Sequence, residues 1–122
     1  MAVIPWTVVV TPHDGGGVKL VRWLNLAGGD TGRPFVVAAY PDKTVQALGD
    51  FGTGTVLIEG SMNTSDADAV YATLNDPQGN ALSGISIAKI ENVLEHVYLL
   101  RPSAAAGATA IDVWMLLHNP GR

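Results

Sequence analysis

The chain has no cysteine, so neither a disulfide framework nor a thiolate metal site is open to it. Charge is scarce as well: only 15% of the 122 residues are Asp, Glu, Lys or Arg, against about 25% in an average globular chain. The seven cations (Lys19, Arg22, Arg33, Lys43, Lys89, Arg101 and Arg122) are scattered, and 11 acids outnumber them for a net charge of −4. A nucleic-acid binder shows clustered basic residues, which this chain lacks, so no direct nucleic-acid partner is expected. The longest apolar stretches (Val8–Val10, Phe35–Tyr40, Val113–Leu117) fall far short of the ~18 residues of a membrane span. The opening residues MAVIPWTVVV carry neither the cationic segment nor the cleavage site of a secretory leader.

Familiar catalytic spacings are missing too. His13, His96 and His118 form no HExxH-like pattern, and there is no GxSxG. The glycine clusters Gly15–Gly17 and Gly28–Gly32 run between apparent strands, not into helices as a phosphate loop must. Asn63, Asp66 and Asp68 could present oxygens to calcium, but the glycine and terminal glutamate of an EF-hand loop are absent. The expectation is therefore no enzyme, no cofactor and no metal.

What is present is period-2 alternation broken by turn residues. In Asp42–Asn63, Val45, Ala47, Val56 and Ile58 can face one way, and Gln46, Thr55, Leu57 and Glu59 the other. With Gly49, Gly52 and Gly54 between the two runs, this predicts an antiparallel hairpin. Further strands are predicted at Val18–Leu26, Pro34–Tyr40, Ala69–Leu74, Ile85–Ile90, Val97–Arg101 and Ala110–Leu117, with Ala88–Glu95 as the only candidate for a short helical turn. Strands at this spacing predict one all-β domain over residues 1–122, an antiparallel β-sandwich or jelly-roll-like barrel. Its predicted core contains Val45, Val56, Ile58, Val97, Leu99, Val113 and Met115, with Trp114 inside as well and Trp23 placed at a surface.

Val3–Val10 can be read two ways. It can be the first strand of the domain, or it can be part of an N-terminal arm, residues 1–12, that reaches a neighbouring chain. Pro5 removes a ladder donor and Trp6 offers a large apolar surface beside it, which favours the arm. Pro5, Trp6, Trp23 and Arg122, the last in a short tail over residues 118–122, are the expected partner contacts.

Four phrases carry a resemblance: GDTG at Gly29–Gly32, YPDKTVQALGDFGTGTVLIEGSMN at Tyr40–Asn63, LNDPQGNALS at Leu74–Ser83 and YLLRP at Tyr98–Pro102. In this order they resemble a family of small virion proteins of tailed bacteriophages, of the capsid cement or decoration type. The chain departs from the family where a Ser-Asn-Asp-Gly turn is replaced by Ser61-Met62-Asn63-Thr64-Ser65-Asp66. The resemblance implies a structural role on the capsid surface, with the major capsid protein and copies of this chain, as a homodimer or homotrimer, for partners. The alternative is a carbohydrate-binding β-sandwich module of a phage tail or a secreted enzyme.

Overall fold

A computed structural model describes residues 1–9 and 17–121. Eleven strands occur among them: β1 (Val3–Ile4), β2 (Trp6–Val9), β3 (Val18–Leu26), β4 (Thr31–Gly32), β5 (Phe35–Val36), β6 (Asp42–Asp50), β7 (Val56–Ser61), β8 (Ala72–Thr73), β9 (Lys89–Val93), β10 (Leu99–Ala104) and β11 (Ala110–His118). They form two sheets packed face to face. Sheet I runs β1-β4-β10-β7-β8, with β5 also paired to β10, and sheet II runs β2-β3-β11-β6-β9. Apart from the short parallel pair β1–β4, every pairing is antiparallel. The all-β sandwich expected from the alternation is the observed fold.

The predicted hairpin is corrected. β6 pairs with β11 and β9 in sheet II, while β7 pairs with β10 and β8 in sheet I. The intervening loop is a corner between the sheets. Val45, Ala47, Val56 and Ile58 do point inward, but from opposite walls of the core. Alternation reports which face is buried and carries no information about which strand lies alongside. The corner is held by contact with the β10–β11 loop: the Thr53 N–H donates to Gly107 O at 3.2 Å and the Ala105 N–H to Thr55 O at 2.8 Å. At Gly54 a Cβ would sit 2.2 Å from the Ala108 nitrogen, so only glycine allows this approach.

All seven predicted core residues are buried. Leu99, however, alternates with Leu100 on β10 and lies outside the core cluster that contains Leu100. Trp23 overturns its surface assignment. It is fully buried beside Val21, opposite Val113 on β11, and its indole N–H donates to Arg33 O at 2.9 Å. Gly32 makes room for it, since a Cβ there would come within 2.7 Å of the Trp23 ring. Trp114 is corrected in the other direction, because Val113 and Met115 take the inner face and leave Trp114 on the outer one. The helical candidate Ala88–Glu95 is instead strand β9.

Val3–Val9 closes on its own domain. β1 pairs with β4 and β2 with β3, and exposed Pro5 marks the step from one sheet to the other. A residue that cannot donate to a ladder suits a point where the chain changes sheets. Trp6 packs against the core at a centroid distance of 4.9 Å from Phe35, edge to face, and donates to Pro34 O at 3.2 Å. Buried Asp30 accepts the Ala2 N–H at 2.8 Å on one oxygen and the Ala27 N–H at 2.9 Å on the other. The arm reading is corrected by this pairing as far as Val9. The rest of its span and the contact expected at Arg122 lie outside the described residues.

Candidate functional site

Two outer surfaces carry organised side chains. The first lies on sheet I, where β7 and β10 place Glu59 opposite Arg101. Arg101 Nε donates to Glu59 Oε2 at 2.6 Å, and its guanidinium lies 3.7 Å from the centre of the Tyr71 ring. The Tyr71 hydroxyl donates to Asp66 Oδ1 at 2.7 Å. Desolvation, followed by this hydrogen bond, pushes the Tyr71 phenol well above its usual range, so it stays a neutral donor. The loop 62–70, with its short 3-10 turn Asp66–Asp68, stands against this cluster, and Met62 (74%) and Val70 (84%) are exposed on it. Asn63 is engaged within the same loop, accepting from Ser65 N–H at 3.1 Å and donating to Asp68 O at 3.2 Å. Of the oxygens considered for calcium, Asn63 Oδ1 thus fastens the turn and Asp66 Oδ1 accepts from Tyr71.

Beside the loop a cleft opens between Ser61, Met62, Asp68, Val70, Leu74 and Glu95. Glu95 accepts from the Asn75 backbone N–H at 2.8 Å and the Asn75 amide at 2.6 Å. Desolvation raises its pKa, but the Asn75 bonds, its own backbone and the charge of Lys43 outweigh this and hold the carboxyl below its usual range. A depressed carboxyl contributes stability above its unfolded pKa and loses it as pH falls through the folded value. The melting temperature is therefore expected to fall as pH drops below about 4.3, and Glu95→Gln should flatten part of that fall. At neutral pH Glu95→Ala should cost about 1.5–3 kcal/mol, the worth of hydrogen bonds to a charged group. A pH series of thermal melts on the two variants checks both.

The second surface is the outer face of sheet II. One row across the strands reads Thr7, Arg22, Trp114, Gln46, Ile90, and the next reads Val9, Leu20, Leu116, Thr44, Asn92. Leu20, Trp114, Leu116 and Ile90 surround a shallow apolar depression. Leu116 (47%) and Ile90 (62%) stand open to solvent. The Arg22 guanidinium lies 5.2 Å from the Trp114 ring centre and its Nε donates to Thr7 Oγ1 at 3.2 Å. The Trp114 indole N–H is buried with no acceptor among the described residues. The uninterrupted run Val113–Leu117 was the available signal, since five consecutive apolar residues on a strand cannot all face one core.

Of the expected contact residues, Trp6 and Trp23 are committed to the domain's own packing, and Pro5 lies on neither surface. His96 and His118 are exposed and separate: His96 Nε2 lies 2.6 Å from Ala38 O, and His118 Nδ1 lies 3.5 Å from Asp42 Oδ2. Among the described residues, no three His, Asp or Glu side chains converge as metal ligands.

No protein-family model matches the chain, and no curated protein matches it in sequence. Solved structures share its fold. The SPBc2 prophage-derived protein YomS superposes with a TM-score of 0.60 at 12% identity, over 91% of this chain and 98% of that one. Hydroxypropylphosphonic acid epoxidase from S. wedmorenis, solved with fosfomycin, gives 0.50 at 12% identity over 93% of this chain, which spans 49% of the epoxidase. An oxalate oxidase bound to glycolate gives 0.48 at 12% identity. The epoxidase corrects the expectation that the chain is no enzyme. In that epoxidase the same fold carries catalysis, so the lack of a familiar catalytic motif here is no ground for excluding an enzyme.

Proposed function

We propose that the chain is a structural protein of a tailed-phage particle, seated on the capsid surface as a decoration protein that binds the major capsid protein. The observation that supports this best is the likeness to a prophage-derived protein over nearly the whole of both chains. The phrases at Gly29–Gly32, Tyr40–Asn63, Leu74–Ser83 and Tyr98–Pro102 point the same way. The shell-facing surface in this reading is the loop 62–70, whose exposed Met62 and Val70 are presented on the Glu59–Arg101–Tyr71–Asp66 cluster. Two apolar side chains on a braced loop suit a contact repeated many times over a lattice, where weak single bonds add through multivalency. The test is whether the purified chain binds purified phage heads that lack it.

A further inference from the structure

We infer that the outer face of sheet II is a self-association surface, through which two copies of this chain pack sheet against sheet about a two-fold axis along β11. The inference stands apart from the reading as a virion protein, since it concerns a different face and needs no capsid.

The strand order carries it. In β2-β3-β11-β6-β9, β11 is the middle strand, so a two-fold along it exchanges β3 with β6 and β2 with β9 and leaves no strand unmatched. An isologous interface must be complementary to itself, and these rows are. Trp114 meets Trp114 and Leu116 meets Leu116 on the axis. Leu20 faces Thr44, Thr7 faces Ile90, and the Arg22 donors face the Gln46 amide oxygen. The buried Trp114 N–H, which has no acceptor among the described residues, also gains Gln46 of the second copy as a neighbour. Asp112 and His118, at the two ends of β11, also fall on the axis. Sheet twist splays these ends apart in aligned packing, and Asp112 is already engaged by the Asn25 N–H at 2.8 Å.

Area agrees. Strands of four, nine, nine, nine and five residues, about 4.8 Å apart and rising about 3.3 Å per residue, make a face of roughly 570 Å². Two such faces together bury roughly 1,100 Å², which clears the threshold of about 1,000 Å² for a specific interface. Trp114, Leu116 and Leu20 make an apolar centre, flanked by the polar Arg22, Gln46 and Thr44, with Thr7 and Asn92 at the edges where water reaches.

Light scattering on the eluting protein, at roughly 100 µM, should give twice the chain mass of 12.7 kDa. Leu116→Arg places two cations on the axis and should return the mass to that of one chain. Ile90→Glu, at a solvent-exposed edge position where folding is not at stake, should weaken association at least tenfold. Val36→Arg, on the opposite sheet, should leave the dimer intact. Circular dichroism confirms that each variant is folded. A monomeric wild type, a mass other than two chains, or a dimer that survives Ile90→Glu and a folded Leu116→Arg overturns the inference.

Discussion

Deleting residues 2–9 lowers the melting temperature by more than ten degrees. The deletion removes β1 and β2, the edge-to-face contact of Trp6 with Phe35 and the Ala2 N–H that Asp30 accepts. Partial burial of a tryptophan contributes about 2 kcal/mol. The Ala2–Asp30 bond and the strand ladders contribute about 1 kcal/mol per bond. Together the loss is at least about 4 kcal/mol, and one kcal/mol is worth roughly 3–5 °C in a domain of this size. Asp30, buried and left with one donor fewer, adds to the cost. Differential scanning calorimetry of the truncated chain decides the matter. An unchanged transition would mean that the segment is a detachable arm after all.

Trp23→Ala is the single substitution expected to do most damage. The side chain is fully buried between the sheets, and removing so large a group from a core costs about 3–5 kcal/mol. Arg33 O also loses its donor. Trp23→Phe fills most of the space but leaves that carbonyl unpaired, and should cost about half as much. Chemical denaturation of the two variants checks the order. If both are neutral, Trp23 does not hold the two sheets together.

Much of this architecture was readable from the residues, and the misreadings share one physical cause. Val45, Ala47, Val56 and Ile58 alternate, and burial followed the alternation. What the alternation does not encode is the pairing partner, so the corner at Phe51–Thr55 read as a hairpin. Its evidence is tertiary: Gly54 lies against the Ala108 backbone, more than fifty residues away. Trp23 and Trp114 were exchanged between face and core for a related reason. The Trp23 strand is apolar on both sides (Leu20 and Leu24, Val21 and Trp23), so the pattern had no preferred face. Room for the indole comes from Gly32, on a strand of the other sheet. Pro102 sits inside strand β10, where the pairing with β5 ends at Leu100 and that with β4 begins at Ser103. Of the candidate surfaces, the run Val113–Leu117 carries the signal of an apolar outer face, but it reads equally as a core strand, and that reading places Trp114 inside. The Glu59–Arg101–Tyr71–Asp66 cluster had no local signature, because its members come from two strands and a loop.

The proposed role is tested most directly by titrating the purified chain onto purified heads of the phage whose genome carries its gene, stripped of the chain, and sedimenting them. The account predicts saturable co-sedimentation at a fixed ratio to the major capsid protein, weakened at least tenfold by Met62→Asp combined with Val70→Asp, with the melting temperature unchanged. Heads that sediment without the chain at every concentration would contradict it.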